Sequence, residues 1–216
     1  MIDLFFIKKI QSALEKELPG ENAQFKMAHI SRKQASSTIP ENAKQAAVML
    51  LLFPKNDVWN TVLIQRTTTD KDTHSGQVSF PGGKKETTDA SLADCARRET
   101  FEEVGVPLEN IQLLGALTPL YIPVSNFHVF PFVGFVVEEP NWQKQTSEVS
   151  EVISVAIEHF FLDKNKKITT VKGKGYTLEN TPCFDVNGKI VWGATAMILN
   201  EFAELCTFVY EKTDFV

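Results

Sequence analysis

Apolar residues Ile2, Phe5, Phe6, Ile10 and Leu14 recur at helical spacing and predict an amphipathic helix over 2–18, stopped by Pro19-Gly20. Residues 21–45 are polar, with SRKQASSTIPENAK near the centre, and read as a linker or wrapped loop. The run AAVMLLLF, Ala46–Phe53, predicts a buried strand closed by Pro54. A turn at Lys55-Asn56-Asp57 leads to a second strand, Trp59–Arg66, so the two make a hairpin. After the polar loop 67–75, a short strand Gln77–Phe80 runs into Pro81-Gly82-Gly83. Residues 89–104 have helical composition, with Thr88 and Asp89 as cap candidates and Gly105 suited to the left-handed position past the end. Strands are expected at Leu113–Leu120 and Phe127–Val137, with Pro131 marking a bulge or an edge, and at Val152–Ile157. A meander over 168–176, 182–186 and 189–191 turns at Asn187-Gly188. A long helix, Gly193–Tyr210, carries an apolar stripe through Met197, Ile198, Phe202 and Leu205.

Strands and helices do not alternate regularly in this order, which favours an α+β sandwich over a doubly wound sheet. The expected organisation is an N-terminal helix and linker, 1–45, packed on a domain of residues 46–210. At 216 residues with 43% hydrophobic and 23% charged, the chain can bury a core without staples. Its 22 basic and 27 acidic residues leave a net charge of −5, which argues against a broad grip on nucleic acid. A local basic pocket for a small phosphorylated ligand is compatible with that balance. Cys95, Cys183 and Cys206 are widely spaced and form no CxxC pair, so buried free thiols in a reducing cytosol are expected. Asp3, Lys8 and Lys9 interrupt the N-terminal apolar residues, which makes a poor signal peptide, and no apolar run approaches the roughly 18 residues of a membrane span. The expected place is the cytoplasm, with no membrane partner. Anchoring to a membrane surface through 2–18 is the weaker alternative to packing of that helix on the domain.

Glu99, Glu102 and Glu103 stand at i, i+3 and i+4, so a helix gathers three carboxylates on one side. The same sector holds Leu92 and Cys95, so the stripe is apolar in its first turns and acidic in its last. The glutamates also lie near a helix C-terminus, where the macrodipole disfavours negative charge. Oxygen ligands without His or Cys suit Mg²⁺ or Mn²⁺, which complete their shells with water and substrate phosphates. Spacing alone leaves a metal-binding face and a solvated acidic face both open. Two glycines upstream, in Phe80-Pro81-Gly82-Gly83, let backbone approach a ligand closely and favour the first. The turn is not a Walker loop, because GxxxxGK[ST] is absent.

Arg98-Glu99-Thr100-Phe101-Glu102-Glu103-Val104-Gly105-Val106 resembles the second half of the Nudix hydrolase signature, G-x5-E-x7-R-E-U-x-E-E-x-G-U, with U a bulky aliphatic residue. Thr100 departs from the aliphatic position, the first-half loop is one residue longer, and Asp89 stands where the family has its first glutamate. The longer loop with Asp89-Ala90-Ser91 is similar to the coenzyme A pyrophosphatase branch. So is the approach to the glycines through Arg66, Lys71, Gly76 and Phe80-Pro81-Gly82-Gly83, where Lys71 replaces an arginine and the interval from Arg66 to Gly76 is one residue longer than in that branch. Val191-Trp192-Gly193-Ala194-Thr195-Ala196 is similar to that branch's W-G-x-T-A.

The resemblance implies an α/β/α sandwich with a mixed central sheet. It implies metal-dependent hydrolysis of a nucleoside diphosphate-linked compound, for this branch coenzyme A or acyl-CoA, cut to 3′,5′-ADP and (acyl-)4′-phosphopantetheine. Under it, Glu99, Glu102 and Glu103 with the Gly83 carbonyl hold Mg²⁺ or Mn²⁺, and Glu102 also orients water. Arg98 braces the loop through Asp89 or Glu86. Arg66, Lys71 and the Gly82 backbone, and less directly Lys84, hold the substrate phosphates. A general base from a distal loop falls on Glu151, with Glu148 beside it as the other acid. His74 is a lesser phosphate contact, and Tyr121, Phe127 and Trp142 are candidate stacking rings. The competing readings are a Nudix diphosphatase for ADP-ribose, a dinucleotide or a nucleoside triphosphate, and a non-catalytic Nudix-type ligand-binding module.

Overall fold

Strand β1, Lys44–Lys55, is the spine of the fold because its alternate side chains are apolar on both faces. Ala47, Met49, Leu51 and Phe53 point to one side, where they pack with Cys95, Ala96 and Val104 of helix α4, Leu92–Val104. Leu50 and Leu52 point to the other, toward α1, Leu4–Leu14, and α5, Gly193–Glu211. Each fully buried Leu or Phe contributes about 1.5–3 kcal/mol, so this double-sided strand anchors two cores at once. The computed structural model describes residues 4–33, 38–68, 75–173 and 175–211.

β2, Val58–Arg66, returns antiparallel to β1 through a turn at Asn56 and Asp57, both at positive φ. β3, Val78–Ser79, and β8, Val149–Ala156, both pair with β2. On the opposite side β1 runs parallel to β7, Phe127–Phe135, which makes the sheet mixed. β5, Gln112–Ala116, and β6, Leu120–Ile122, complete that side. β4, Gly82–Lys84, pairs with the first half of β1. A separate antiparallel sheet holds β9, Lys166–Gly173, β10, Tyr176–Val186, and β11, Lys189–Trp192. The architecture is the expected mixed α+β sandwich.

Three local expectations change. Pro131 is neither at an edge nor at a bulge: β7 is paired on both sides, and the neighbour is divided into β5 and β6 opposite the proline. Leu117 N–H donates to the Pro131 carbonyl, and with no proline N–H to return the bond the ladder breaks there. Pro54 lies within β1 rather than closing it. The polar stretch after Gly20 is not simply a loop, since it carries α2, Gly20–Gln24, and α3, Ile30–Lys33.

α2 is docked by the fully buried Glu201 of α5. Its carboxylate accepts hydrogen bonds from Gln24 Nε2 (2.8 Å), Gly20 N (3.2 Å), Thr118 N (3.2 Å) and Thr118 Oγ1 (2.6 Å). Glu201→Leu is expected to lower stability by about 2 kcal/mol, because four donors lose a charged acceptor but three lie where water can reach them. A urea midpoint unchanged from wild type would show that the docking contributes nothing.

Candidate active site

Helix α4 starts one turn later than its composition suggests. Ser91 is the cap, its Oγ accepting from Asp94 N at 3.1 Å, while Asp89 is drawn away to an arginine. The helix ends at Gly105 in the left-handed conformation, φ 78°, with its N–H on the Phe101 carbonyl.

The three glutamates form a gradient of burial. The Glu102, Glu99 and Glu103 side chains are 46%, 14% and 1% exposed. Glu103 Oε2 accepts from Gly82 N at 2.9 Å, and Oε1 lies 3.8 Å from Arg66 Nη1. Burial pushes the Glu103 carboxyl up to about 8; the Gly82 N–H and Arg66 pull it back, and the charges of Glu99 and Glu148 push it further up. Burial also raises Glu99, against the opposing pull of Arg98.

The glycine turn is a strand because nothing larger fits. A Cβ on Gly82 would lie 2.4 Å from the Ala47 carbonyl, and one on Gly83 would lie 2.5 Å from the Glu99 carboxylate. Two bare α-carbons thus let β4 wedge between β1 and the acidic side of α4.

Arg98 ties the loop to the helix. Nε and Nη2 clasp Asp89 at 2.8 and 3.0 Å, Nη1 reaches Glu99 at 2.8 Å and Glu102 at 3.1 Å, and Nη2 donates to the Lys84 carbonyl at 3.2 Å. The guanidinium holds Asp89 down to about 2. Cys95, buried beneath, is pushed up to about 11 by desolvation and by Asp89 and Glu99. All three cysteines are buried and free, as expected.

Arg66 is thus brought to Glu103, and Glu99, Glu102 and Gly83 share one end of the helix. The Gly82 N–H is taken by Glu103, and the Gly83 carbonyl faces Cys95 Sγ at 3.7 Å. Lys71 and His74 lie outside the described residues. Glu151 is not brought to the glutamates. It pairs opposite Gln65 on the β2–β8 ladder and meets Lys189 Nζ at 2.8 Å. Neighbouring residues on a strand face opposite ways, and the next one, Arg66, is the residue that reaches Glu103. Glu148, just before β8, is the acid whose charge acts on Glu99 and Glu103. Trp142 packs edge-on against Phe53 in the core, Phe127 lies under Lys44, and the Tyr121 hydroxyl donates to Asn126, so none of the three faces the glutamates.

As these side chains stand, no three His, Cys, Asp or Glu residues among the described ones converge on a single point, because Arg98 holds Glu99 and Glu102. The donor chemistry nonetheless fits a hard divalent cation: all-oxygen ligands, one of them a carboxylate that burial disfavours as an anion and a nearby cation would favour. No described helix is long and apolar enough to cross a membrane.

A NUDIX domain profile matches residues 43–176. The chain is 34% identical over 143 residues to the uncharacterized Nudix hydrolase NudL of Pectobacterium atrosepticum, covering 66% of this chain and 73% of that one. It is 28% identical over 198 residues to the chloroplastic Nudix hydrolase 22 of Arabidopsis thaliana, covering 89% of this chain and 64% of that longer relative. Among solved structures, a MutT/nudix family protein from Enterococcus faecalis superposes with a TM-score of 0.49 at 19% identity, over 84% of this chain and 70% of that one. The chain therefore belongs to the Nudix hydrolases, which act on nucleoside diphosphate-linked compounds and generally use divalent metal ions.

Proposed function

We propose that this chain hydrolyses the diphosphate of coenzyme A or an acyl-CoA to 3′,5′-ADP and (acyl-)4′-phosphopantetheine, with Mg²⁺ or Mn²⁺ as its cofactor. The observation that carries the hydrolytic reading is the oxygen-only face of Glu99, Glu102 and Glu103 wedged against Gly82-Gly83, with Arg66 alongside. The narrowing to coenzyme A rests on the loop before Phe80-Pro81-Gly82-Gly83 and on Trp192-Gly193-Ala194-Thr195-Ala196. Residues 46–210 form the hydrolase domain, with 1–45 packed on it. Three buried free thiols suit a reducing cytoplasm.

In the reaction a water oxygen forms a bond to one phosphorus, the bridging P–O bond breaks, and the leaving phosphate takes the bridging oxygen. Glu99, Glu102 and Glu103 would hold the divalent ions, whose charge would offset that of the diphosphate and lower the pKa of a bound water. Arg66 holds a phosphate oxygen, and Lys71 and Lys84 add positive charge. Glu148, rather than Glu151, the acid favoured from sequence, receives the water's proton.

Incubation with coenzyme A and Mg²⁺, followed by mass analysis of the products, is expected to yield 3′,5′-ADP and 4′-phosphopantetheine in equal amounts. Turnover of ADP-ribose well above that of coenzyme A would end the branch assignment. No turnover of any diphosphate in a substrate panel would leave a ligand-binding module.

A further inference from the structure

Lys189 lies in the β10–β11 hairpin, beyond the 43–176 stretch matched by the family. Its Nζ nonetheless bridges two side chains of the catalytic sheet, Gln65 Oε1 at 2.7 Å and Glu151 Oε2 at 2.8 Å. These two residues are partners on the β2–β8 ladder, and the register slips immediately after them. Gln65 faces Glu151, whereas Arg66 faces Val149, so Ser150 is the extra residue of a bulge. Ser150 Oγ donates back to the Gln65 carbonyl at 2.9 Å, and Thr67 N–H donates to the Glu148 carbonyl at 2.9 Å. Arg66 and Val149 therefore share the face that meets Glu103, and Glu148 sits in the turn just before Val149 with its carbonyl fixed by Thr67 N–H.

We infer that Lys189, through Gln65 and Glu151, is a positioning residue that holds this bulge and so aims Arg66 and Glu148 at the reacting diphosphate. The inference rests on the roles given to Arg66 and Glu148 above. Glu151 is then a structural partner of Lys189 and takes no proton from water. An ion pair this exposed adds little to global stability, the Glu151 side chain being 52% accessible. Displacing a reacting group by about 1 Å, in contrast, costs up to about 100-fold in rate. The expected signature is a loss of turnover with a nearly unchanged unfolding midpoint.

The test compares Lys189→Met, Lys189→Arg, Glu151→Gln and the double variant Lys189→Met/Glu151→Gln. Turnover is measured on whichever diphosphate the wild type cleaves, and amide exchange is followed over 66–68 and 144–151. Lys189→Met and Glu151→Gln are each expected to lower kcat about tenfold with KM changed less than about threefold. The double variant should lose no more than the worse single one, and Lys189→Arg should recover most of the loss. Exchange at Thr67 and Val149 should quicken about tenfold in Lys189→Met. Unchanged exchange in that variant overturns the inference whatever the substrate proves to be. It is equally overturned by additive losses, or by a thousandfold loss in Glu151→Gln beside a wild-type kcat in Lys189→Met, which would make Glu151 the reacting base. Failure of the wild type on coenzyme A alone would instead fall on the proposed substrate and leave the exchange result standing.

Discussion

Glu103→Gln is expected to make the metal-free protein more stable at pH 8 while lowering turnover by about 10²–10³-fold. The carboxyl is 1% exposed, and burial lifts it to about 8 from an ordinary 4.5. Between those values the folded chain keeps a proton that the unfolded chain has released, so stability falls as pH rises through the interval. Below 4.5 both states are protonated and the penalty vanishes; above 8 it is complete. At about 1.4 kcal/mol per unit the full penalty is on the order of a few kcal/mol. Glutamine cannot ionise, and its carbonyl oxygen can still accept from Gly82, so the variant escapes the penalty and keeps the bond. Thermal unfolding in a chelator at pH 5 and pH 8 checks this: the wild type should lose stability across the range, and the variant should not. Mn²⁺ should raise the wild-type midpoint more at pH 8 than at pH 5 and do little for Glu103→Gln. A variant that melts at or below wild type at pH 8 would mean that the buried carboxylate is already balanced by its neighbours.

An expensive buried acid is what the sequence shows as three glutamates on one side of a helix, so the centre of the site is legible without coordinates. The same holds for the β1–β2 hairpin, the end of α4 at Gly105 and the Asn187-Gly188 turn, each set by residues within a few positions of one another. What escaped was set from far along the chain. Gly82 and Gly83 form a strand because Ala47 and the Glu99 carboxylate leave no room for a side chain. The Arg98–Asp89 pair was legible, nine positions apart, but not that it takes Asp89 from the cap and leaves Ser91 to start the helix. Gly20 is held by Glu201, 181 positions later, and Gln65 by Lys189, 124 positions later. Choosing between Glu148 and Glu151 required the start and register of β8, because Glu151 falls inside the ladder opposite Gln65 while Glu148 falls in the turn before it.

Arg98→Met is expected to destabilise the fold by about 3–5 kcal/mol, because removing one partner of a buried ion pair leaves the other uncompensated. The Asp89 side chain is 3% exposed, and without Arg98 its remaining donors are the Glu86 N–H at 2.7 Å and the weak Cys95 thiol. The loss also reaches the site, since the same guanidinium orders Glu99 and Glu102 and fastens the Lys84 carbonyl beside β4. Arg98→Lys should recover less than half of the stability, because an ammonium cannot bind Asp89 through two parallel bonds while reaching both glutamates. The pH dependence separates this from a plain packing defect. Arg98 holds Asp89 at about 2, so the pair's contribution is complete above the ordinary 3.8 and is lost as pH falls through that interval. Urea midpoints measured from pH 5 to pH 2 should therefore converge between wild type and Arg98→Met as the solution becomes more acid. A gap that stays constant down to pH 2 would assign the loss to the packing of the arginine stem rather than to its charge.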